Sequence, residues 1–335
     1  MCRALGSSAT LETPRGPGFW QATSRPWTLG RRKAVAEGAK DRDTGCVQLY
    51  LVDGTFELFR AFYSAPSRLS PSGQEVGALY GLMRNLLRLV ESAEPACVAV
   101  AYDHVIESFR NELFPGYKTG AGIDPALWAQ FPGAERISAA LGMCTWPMVE
   151  FEADDAIATA AFRFADAPEL DGVVICSPDK DLAQCTVHPR VTVWDRIRDK
   201  RLNAAQVTEK FGVPPLAIPD YLALVGDSAD GIPGIPRWGA KSAAALLTRY
   251  SAIEHIPDDV SQWDVKVRGA DALCKELACR REAAALYRTL ATLRTDVPLT
   301  ETLDDLRYRG VDLESLTAVC GEFGFSIPSA IRVRE

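Results

Sequence analysis

Four apolar runs in this chain each close on acid, and that repetition limits what it can fold into more than any other feature. The runs are VQLYLVDG, closing on Asp53; VAVAYDH, closing on Asp103; MVEFEADD, carrying Glu152, Asp154 and Asp155; and VVICSPDKD, carrying Asp179 and Asp181. A fifth pair, Asp227 and Asp230, follows in LVGDSADGIPG. Helical patterns separate the runs, and such alternation implies a mostly parallel sheet covered by helices on both faces. Right-handed crossovers bring all the strand C-termini to one edge, where open α/β sheets place their ligands. Acids far apart in sequence therefore converge. Like charges gathered so closely cannot all stay ionised unless cations neutralise them, so the nine carboxylates point to a divalent-metal site.

The organisation along the chain follows the same signals. QEVGALYGLMRNLLRLVESA (74–93) and EADDAIATAAFRFADA (152–167) carry apolar residues at helical spacing. The second opens with acids at its positive end. Residues 46–203 are accordingly expected to form an α/β core. Beyond it the strand signals fade: LNAAQVTEKFG, PLAIPDYLALVGD, GAKSAAALLTRY and CRREAAALYRTLATLR (279–294) read as helices joined by Pro and Gly turns. Residues 204–335 are expected to be a helical subdomain. Residues 1–45 hold eight basic residues against four acids, rich in Gly, Pro and Ser and without periodicity. They read as a disordered basic extension, with a transit peptide or a misassigned start codon as alternatives.

An apolar content of 47% with 24% charged residues suits a soluble globular protein. No apolar run reaches membrane-spanning length, and no stretch resembles a signal peptide. The nine cysteines lack any C-x-x-C spacing and read as reduced packing thiols. A cytoplasmic monomer is the expectation. The net charge of −7 argues against a nucleic-acid partner only if the nine acids count as surface charge. Setting them aside from the 44 acidic residues leaves 35 against 37 lysines and arginines, so net charge decides little.

Each acidic pair also has a plainer reading as a helix N-cap; five clusters together make capping alone a poor account. Glu152 and Asp154, two apart on an extended approach, share a side, while Asp155 turns away by about 100°. Asp179 and Asp181 sit in a strand-to-helix turn, and Asp227 and Asp230, three apart, would share a helical face. Oxygen-only ligands suit Mg²⁺ or Mn²⁺ rather than zinc. His104, His188 and His255 are scattered, and no nucleophile-and-base triad is supported. VDGT is reminiscent of haloacid-dehalogenase phosphatases, but their nucleophile position holds Leu51, which cannot do that chemistry.

From Val47 to about Phe325 the chain resembles the bacterial 5′-nucleases, the 5′–3′ exonuclease domain of DNA polymerase I and its stand-alone relatives within the flap-endonuclease superfamily. The matching stretches include LYLVDGTFELFRAFYSAP, SFRNELFPGYK, FEADDAIATAA, SPDKDLAQ and YLALVGDSADGIPGIPRWGAKSAAALL. The resemblance implies a PIN-like α/β core with a helical arch and a C-terminal helix–hairpin–helix subdomain. It implies hydrolysis of DNA phosphodiester bonds at 5′ ends, 5′ flaps and duplex junctions by two-metal-ion catalysis, one ion activating water and the other steadying the leaving oxygen. Asp53, Asp103, Glu152 and Asp154 would hold one ion; Asp179, Asp181, Asp227 and Asp230 would serve a second region, with Asp155 between. Arg110 and Lys118 match the arch-base positions that meet the scissile phosphate, and Phe62, Tyr63 and Tyr117 are candidates for stacking on a terminal base. Gly234, Arg237, Gly239, Lys241 and Ser242 fall in the hairpin that grips duplex phosphates, where the family often carries K⁺. The expected partners are DNA and a separate DNA polymerase, with no membrane.

Two positions depart from the family pattern. Ala121 stands where an arginine usually follows the arch lysine, and Arg237 replaces the hairpin's usual first glycine. Two rival readings are a structure-specific DNA-binding protein with weakened cleavage and a PIN-type ribonuclease.

Overall fold

The computed structural model describes residues 47–327 and 331–334; the extension expected over residues 1–45 lies outside them. The described part begins with β1 (Gln48–Asp53), α1 (Gly54–Ser64), α2 (Gly77–Ala93) and β2 (Cys97–Asp103). Then come α3 (Phe109–Leu113), α4 (Pro125–Trp128), α5 (Phe131–Ala140), β3 (Cys144–Met148), α6 (Ala153–Phe164) and β4 (Gly172–Cys176). A 3₁₀ turn over Asp181–Val187 leads to β5 (Val191–Asp195) and β6 (Lys200–Leu202). The helices α7 (Ala204–Phe211), α8 (Ile218–Val225), α9 (Ala240–Tyr250), α10 (Ala270–Ala278), α11 (Arg281–Ala291) and α12 (Leu313–Phe323) complete the chain. No described helix is long and apolar enough to cross a membrane.

The six strands run in the order β3-β2-β1-β4-β5-β6, all parallel except the β5–β6 pair. Why the strand sequences are continuously apolar is clear from their neighbours. Tyr50 and Val52 of β1 pack into one core, and Leu49 and Leu51 into another on the opposite face. Alternate side chains on a strand point to opposite faces, and here both faces are covered, so no polar position is left. The helices α1, α2 and α5 line the first core, and α6 the second. A third apolar cluster binds α7 to α11 together and reaches back to Tyr117, Ala183 and Leu202.

The order of strands reverses direction between β1 and β4. That is the topological switch point where the loops diverge and a crevice opens, and Asp53 and the Ser177–Asp181 turn stand on either side of it.

Several expectations are corrected in detail. The helix expected over 279–294 is shorter, α11 over Arg281–Ala291, and Cys279 and Arg280 separate it from α10. The third strand precedes its acids, over Cys144–Met148, and tolerates Pro147 because β3 lies at the sheet edge. The final helix α12 sends Leu316, Val319, Cys320 and Phe323 into the first core, beside α2 and α5. The arch segment is a loop carrying the single-turn α4, held down because Leu127 and Gln130 are fully buried.

Gly54 follows Asp53 directly, and a Cβ there would lie 2.5 Å from the Tyr102 ring. That ring is fixed by its hydroxyl, 2.7 Å from Ser138 Oγ, so it cannot yield. Gly54→Ala is expected to cost about 1–3 kcal/mol, as overpacking in a filled core does; urea denaturation against the parent chain measures it.

Candidate active site

Parallel pairing places the acids as a row along one edge. Asp53 ends β1 and Asp103 ends β2, its neighbour on one side; Asp179 follows β4, its neighbour on the other. Asp53 caps α1, its carboxylate accepting from the Phe56 N–H at 2.8 Å and from the Ser177 hydroxyl at 2.9 Å. Asp103 accepts from the Ala153 N–H at the start of α6 at 2.8 Å. Capping and convergence are thus the same arrangement, since a cap occupies one oxygen and leaves the carboxylate on the edge.

The electrostatics divide the row. Burial, reinforced by the Asp103 and Asp179 charges, pushes Asp53 up to about 7. Burial likewise raises Asp103 and Asp179, and raises Asp154 and Asp181 well above the usual carboxylate range. Asp154 feels both Asp53 and Asp179, so the acids form one continuous patch. Glu152 behaves oppositely. Burial works against its charge, but Lys118 and Arg110 outweigh it and hold it down to about 2. Lys118 Nζ lies 2.7 Å from Glu152 and 3.2 Å from Asp230, bridging two segments of the patch.

Oxygens of Asp181, Asp227 and Asp230 lie within 4.8 Å of one another. Asp181 Oδ1 is buried without a hydrogen-bond partner, a costly state for a polar atom unless a cation meets it. Three carboxylates and no His or Cys form a donor set suited to a hard divalent cation. The residues therefore fit the ion implied by the sequence. Asp227 and Asp230 do not share a helical face: α8 ends at Val225, and the two lie in a turn closed by paired Asp227–Ile232 backbone bonds.

Three expected roles are overturned. Asp155 is fully buried, and its oxygens accept from Arg110 Nη1 and Nη2 at 2.7 Å each, from the Glu152 N–H at 3.0 Å and from the Arg294 N–H at 2.9 Å. Two donors meet each oxygen, so all four lone-pair sites are taken, and Asp155 is a structural anchor rather than a metal ligand. Arg110 is likewise removed from any phosphate. Its side chain is 1% exposed, and it also donates to Glu152 at 3.0 Å and to the Leu290 and Thr292 carbonyls. Tyr117 is buried with its hydroxyl 3.3 Å from Glu152, so it is not available for stacking; Tyr63 is exposed beside Phe62.

The hairpin between α8 and α9 abuts this edge. The Lys118 N–H donates to the Asp230 carbonyl at 3.0 Å, linking the arch base to the turn. Gly234 has φ 72° and a Cβ would lie 2.5 Å from the Gly226 nitrogen, so both backbone and space demand glycine. Arg237 also has φ 72° but is exposed. Gly239 is the N-cap of α9 and offers no side-chain cap, and apart from its chain neighbours no described residue lies within 4 Å of where its Cβ would be. Lys241 is exposed beside it and Ser242 half-buried. Ser108, Ser177 and Lys180 join the site with no expectation from the sequence. Ser108 donates to Glu152 at 2.7 Å, and Lys180 Nζ lies 2.6 Å from Asp227. The DKD spacing was the available signal for Lys180.

Residues 48–212 match the model of the 5′-3′ exonuclease N-terminal resolvase-like domain, and residues 213–314 that of the 5′-3′ exonuclease C-terminal SAM fold. A 5′-3′ exonuclease of Aquifex aeolicus is 32% identical over 269 residues, covering 80% of this chain and 89% of its own. The chain belongs to the 5′-3′ exonuclease family. DNA polymerase I of Bacillus caldotenax is 34% identical over 287 residues, 83% of this chain but 31% of the polymerase. This chain thus spans about a third of such polymerase relatives. Among solved structures, a phage T5 flap endonuclease in complex with DNA and metal ions shares the fold, with TM-score 0.59 and 21% identity over 74% of this chain and 90% of that one.

Replacing Arg110 by methionine leaves Asp155 a buried, unpaired carboxylate. Arg110→Met is expected to cost about 3–5 kcal/mol of stability, read by chemical denaturation without any DNA. Stability within about 1 kcal/mol of the parent, the range of exposed ion pairs, would restore Arg110 to a surface role.

Proposed function

We propose that this chain is a structure-specific 5′ nuclease hydrolysing DNA phosphodiester bonds at 5′ ends and 5′ flaps, with Mg²⁺ (or Mn²⁺) as its working ion. The observation that carries the reading is the row of carboxylates across the switch point, inside a chain whose family membership spans both the α/β core and the hairpin. Asp53, Asp103, Glu152 and Asp154 would hold one ion, and Asp179, Asp181, Asp227 and Asp230 a second. Bound there, the ions supply water activation and charge neutralisation for an in-line displacement.

The chain's own residues do the rest. Lys118 presents a cation between Glu152 and Asp230, where it can meet a phosphate at the carboxylate edge. Ser177 and Ser108 orient Asp53 and Glu152. The hairpin turn offers glycine backbone, with Lys241 and Arg237 beside it, to duplex phosphates; a K⁺ there belongs to this proposal, as does a separate polymerase that fills behind the cut. The hairpin favours duplex DNA over the single-stranded RNA of a PIN-type ribonuclease.

The test is a labelled 5′-flap duplex incubated with Mg²⁺, beside the Asp179→Asn variant and a matched single-stranded RNA. The flap is cut, and Asp179→Asn slows the cut at least about a hundredfold, a loss of about 2.7 kcal/mol of transition-state stabilisation. No Mg²⁺-dependent product would sink the enzyme reading, and faster cleavage of RNA would favour the ribonuclease. Ion binding is checked separately: millimolar Mg²⁺ or Mn²⁺ raises Tm, since saturation to 100 times Kd is worth about 2.7 kcal/mol. Asp181→Asn is expected to shrink that rise.

A further inference from the structure

Lys180 sits between Asp179 and Asp181 in the sequence, yet its ammonium bonds to neither. It reaches across to Asp227 Oδ2 at 2.6 Å. The other oxygen of Asp227, Oδ1, accepts from the Ala229 N–H at 3.0 Å. Asp227 therefore has both oxygens engaged, one by a backbone bond that shapes the turn and one by a side chain. Each carboxylate oxygen has two lone pairs, so the hydrogen bonds alone do not bar Mg²⁺; but an ammonium 2.6 Å from Oδ2 repels a cation that must approach the same carboxylate to about 2.0–2.1 Å. The backbone bond is built into the turn, but the ammonium is not: the Lys180 side chain is 37% exposed, against 1% for Arg110. Beside it, Asp181 Oδ1 is buried and unpartnered within the same three-carboxylate group.

We propose that Lys180 is a tethered counter-cation that competes with the ion of the second region for Asp227. The inference rests on the nuclease reading above. In the ion-free protein the ammonium offsets part of the repulsion among Asp179, Asp181, Asp227 and Asp230. A divalent cation binding to Asp181, Asp227 and Asp230 displaces it outward along its flexible stem. The second ion is consequently held more weakly than the same carboxylates alone would hold it. Lys118 differs, because it bridges two carboxylates and is less exposed.

The test uses the full chain and Mn²⁺ as probe, with bound ion counted by electron paramagnetic resonance and Tm followed with and without ion. Lys180→Met keeps the stem and removes the charge. Its expected signature has two opposite signs: Tm falls without ion, while the weaker Mn²⁺ Kd tightens at least threefold and the ion-induced rise in Tm grows. Lys180→Arg, which keeps the cation, stays within twofold of the parent Kd. A merely structural lysine would lower Tm in both conditions and leave Kd unchanged, and that result overturns the proposal; so does a weaker Kd in Lys180→Met. If that variant does not fold, Lys180→Gln carries the same expectation. Failure of the parent itself to bind Mn²⁺ would instead strike at the metal-dependent nuclease reading.

Discussion

The buried Arg110 guanidinium ties the two halves of this molecule together beside the acidic edge. It rises from α3, just beyond β2, and is held by Asp155 and Glu152 at the start of α6. It also donates to Leu290 in α11 and to Thr292 just after it. One side chain thus fixes the first turn of α6, which positions Glu152 and Asp154, against the end of the helical cluster that carries the hairpin. Desolvating an arginine is costly, and such a pair adds little net stability compared with a well-packed apolar substitute. What it contributes is placement: five donors in a rigid fork admit one arrangement of carboxylates and carbonyls. The sheet edge and the helical half are thereby locked in register.

The acids beyond this lock obey a simple balance. Those with a cation in contact ionise readily, as Glu152 does beside Lys118 and Arg110. Those whose nearest neighbours are other acids, such as Asp53, Asp154 and Asp181, are driven up by burial and mutual repulsion. Fold and packing hold these groups together against that repulsion. A local arrangement that opposes its own stability is characteristic of functional sites rather than of cores.

The parallel sheet was legible because β1, β2 and β4 are buried on both faces, so their sequences are unbroken apolar runs. β3 was not, because an edge strand tolerates Pro147 and the partly exposed Cys144 and Thr145. The convergence of acids was legible from topology alone. Which acids bind and which brace was not. Asp154 and Asp155 are adjacent and chemically identical; one helical step separates an edge carboxylate from an anchor. Arg110 and Lys118 share one motif, and what divides them is a pair of carbonyls at Leu290 and Thr292, supplied from far along the chain. Likewise α12 has an amphipathic pattern that suits either half; only its fit against α5 and α2 assigns it to the α/β core.

The two departures from the family pattern move charge in opposite directions. Ala121 lies exposed on the arch loop, and the cation usual there is gone. Arg237 adds one on the hairpin, at a left-handed backbone position that costs a non-glycine residue about 1–3 kcal/mol. The strain is sustained because the next residue leaves the turn no freedom. Trp238 is buried, its indole N–H donates to the Leu273 carbonyl at 3.1 Å, and its ring packs edge-on against Trp263. With Gly234 fixing one side of the turn and Trp238 the other, the backbone at 237 is set by its neighbours, whatever side chain it carries. An exposed side chain with no hydrogen bond or ion pair among the described residues gives the fold little in return for its strained position. Under the nuclease proposal its role lies outside the chain, where an exposed guanidinium on the hairpin can meet a phosphate. On that proposal, cationic charge moves from the arch loop to the hairpin, while the carboxylate edge between them keeps its nine acids.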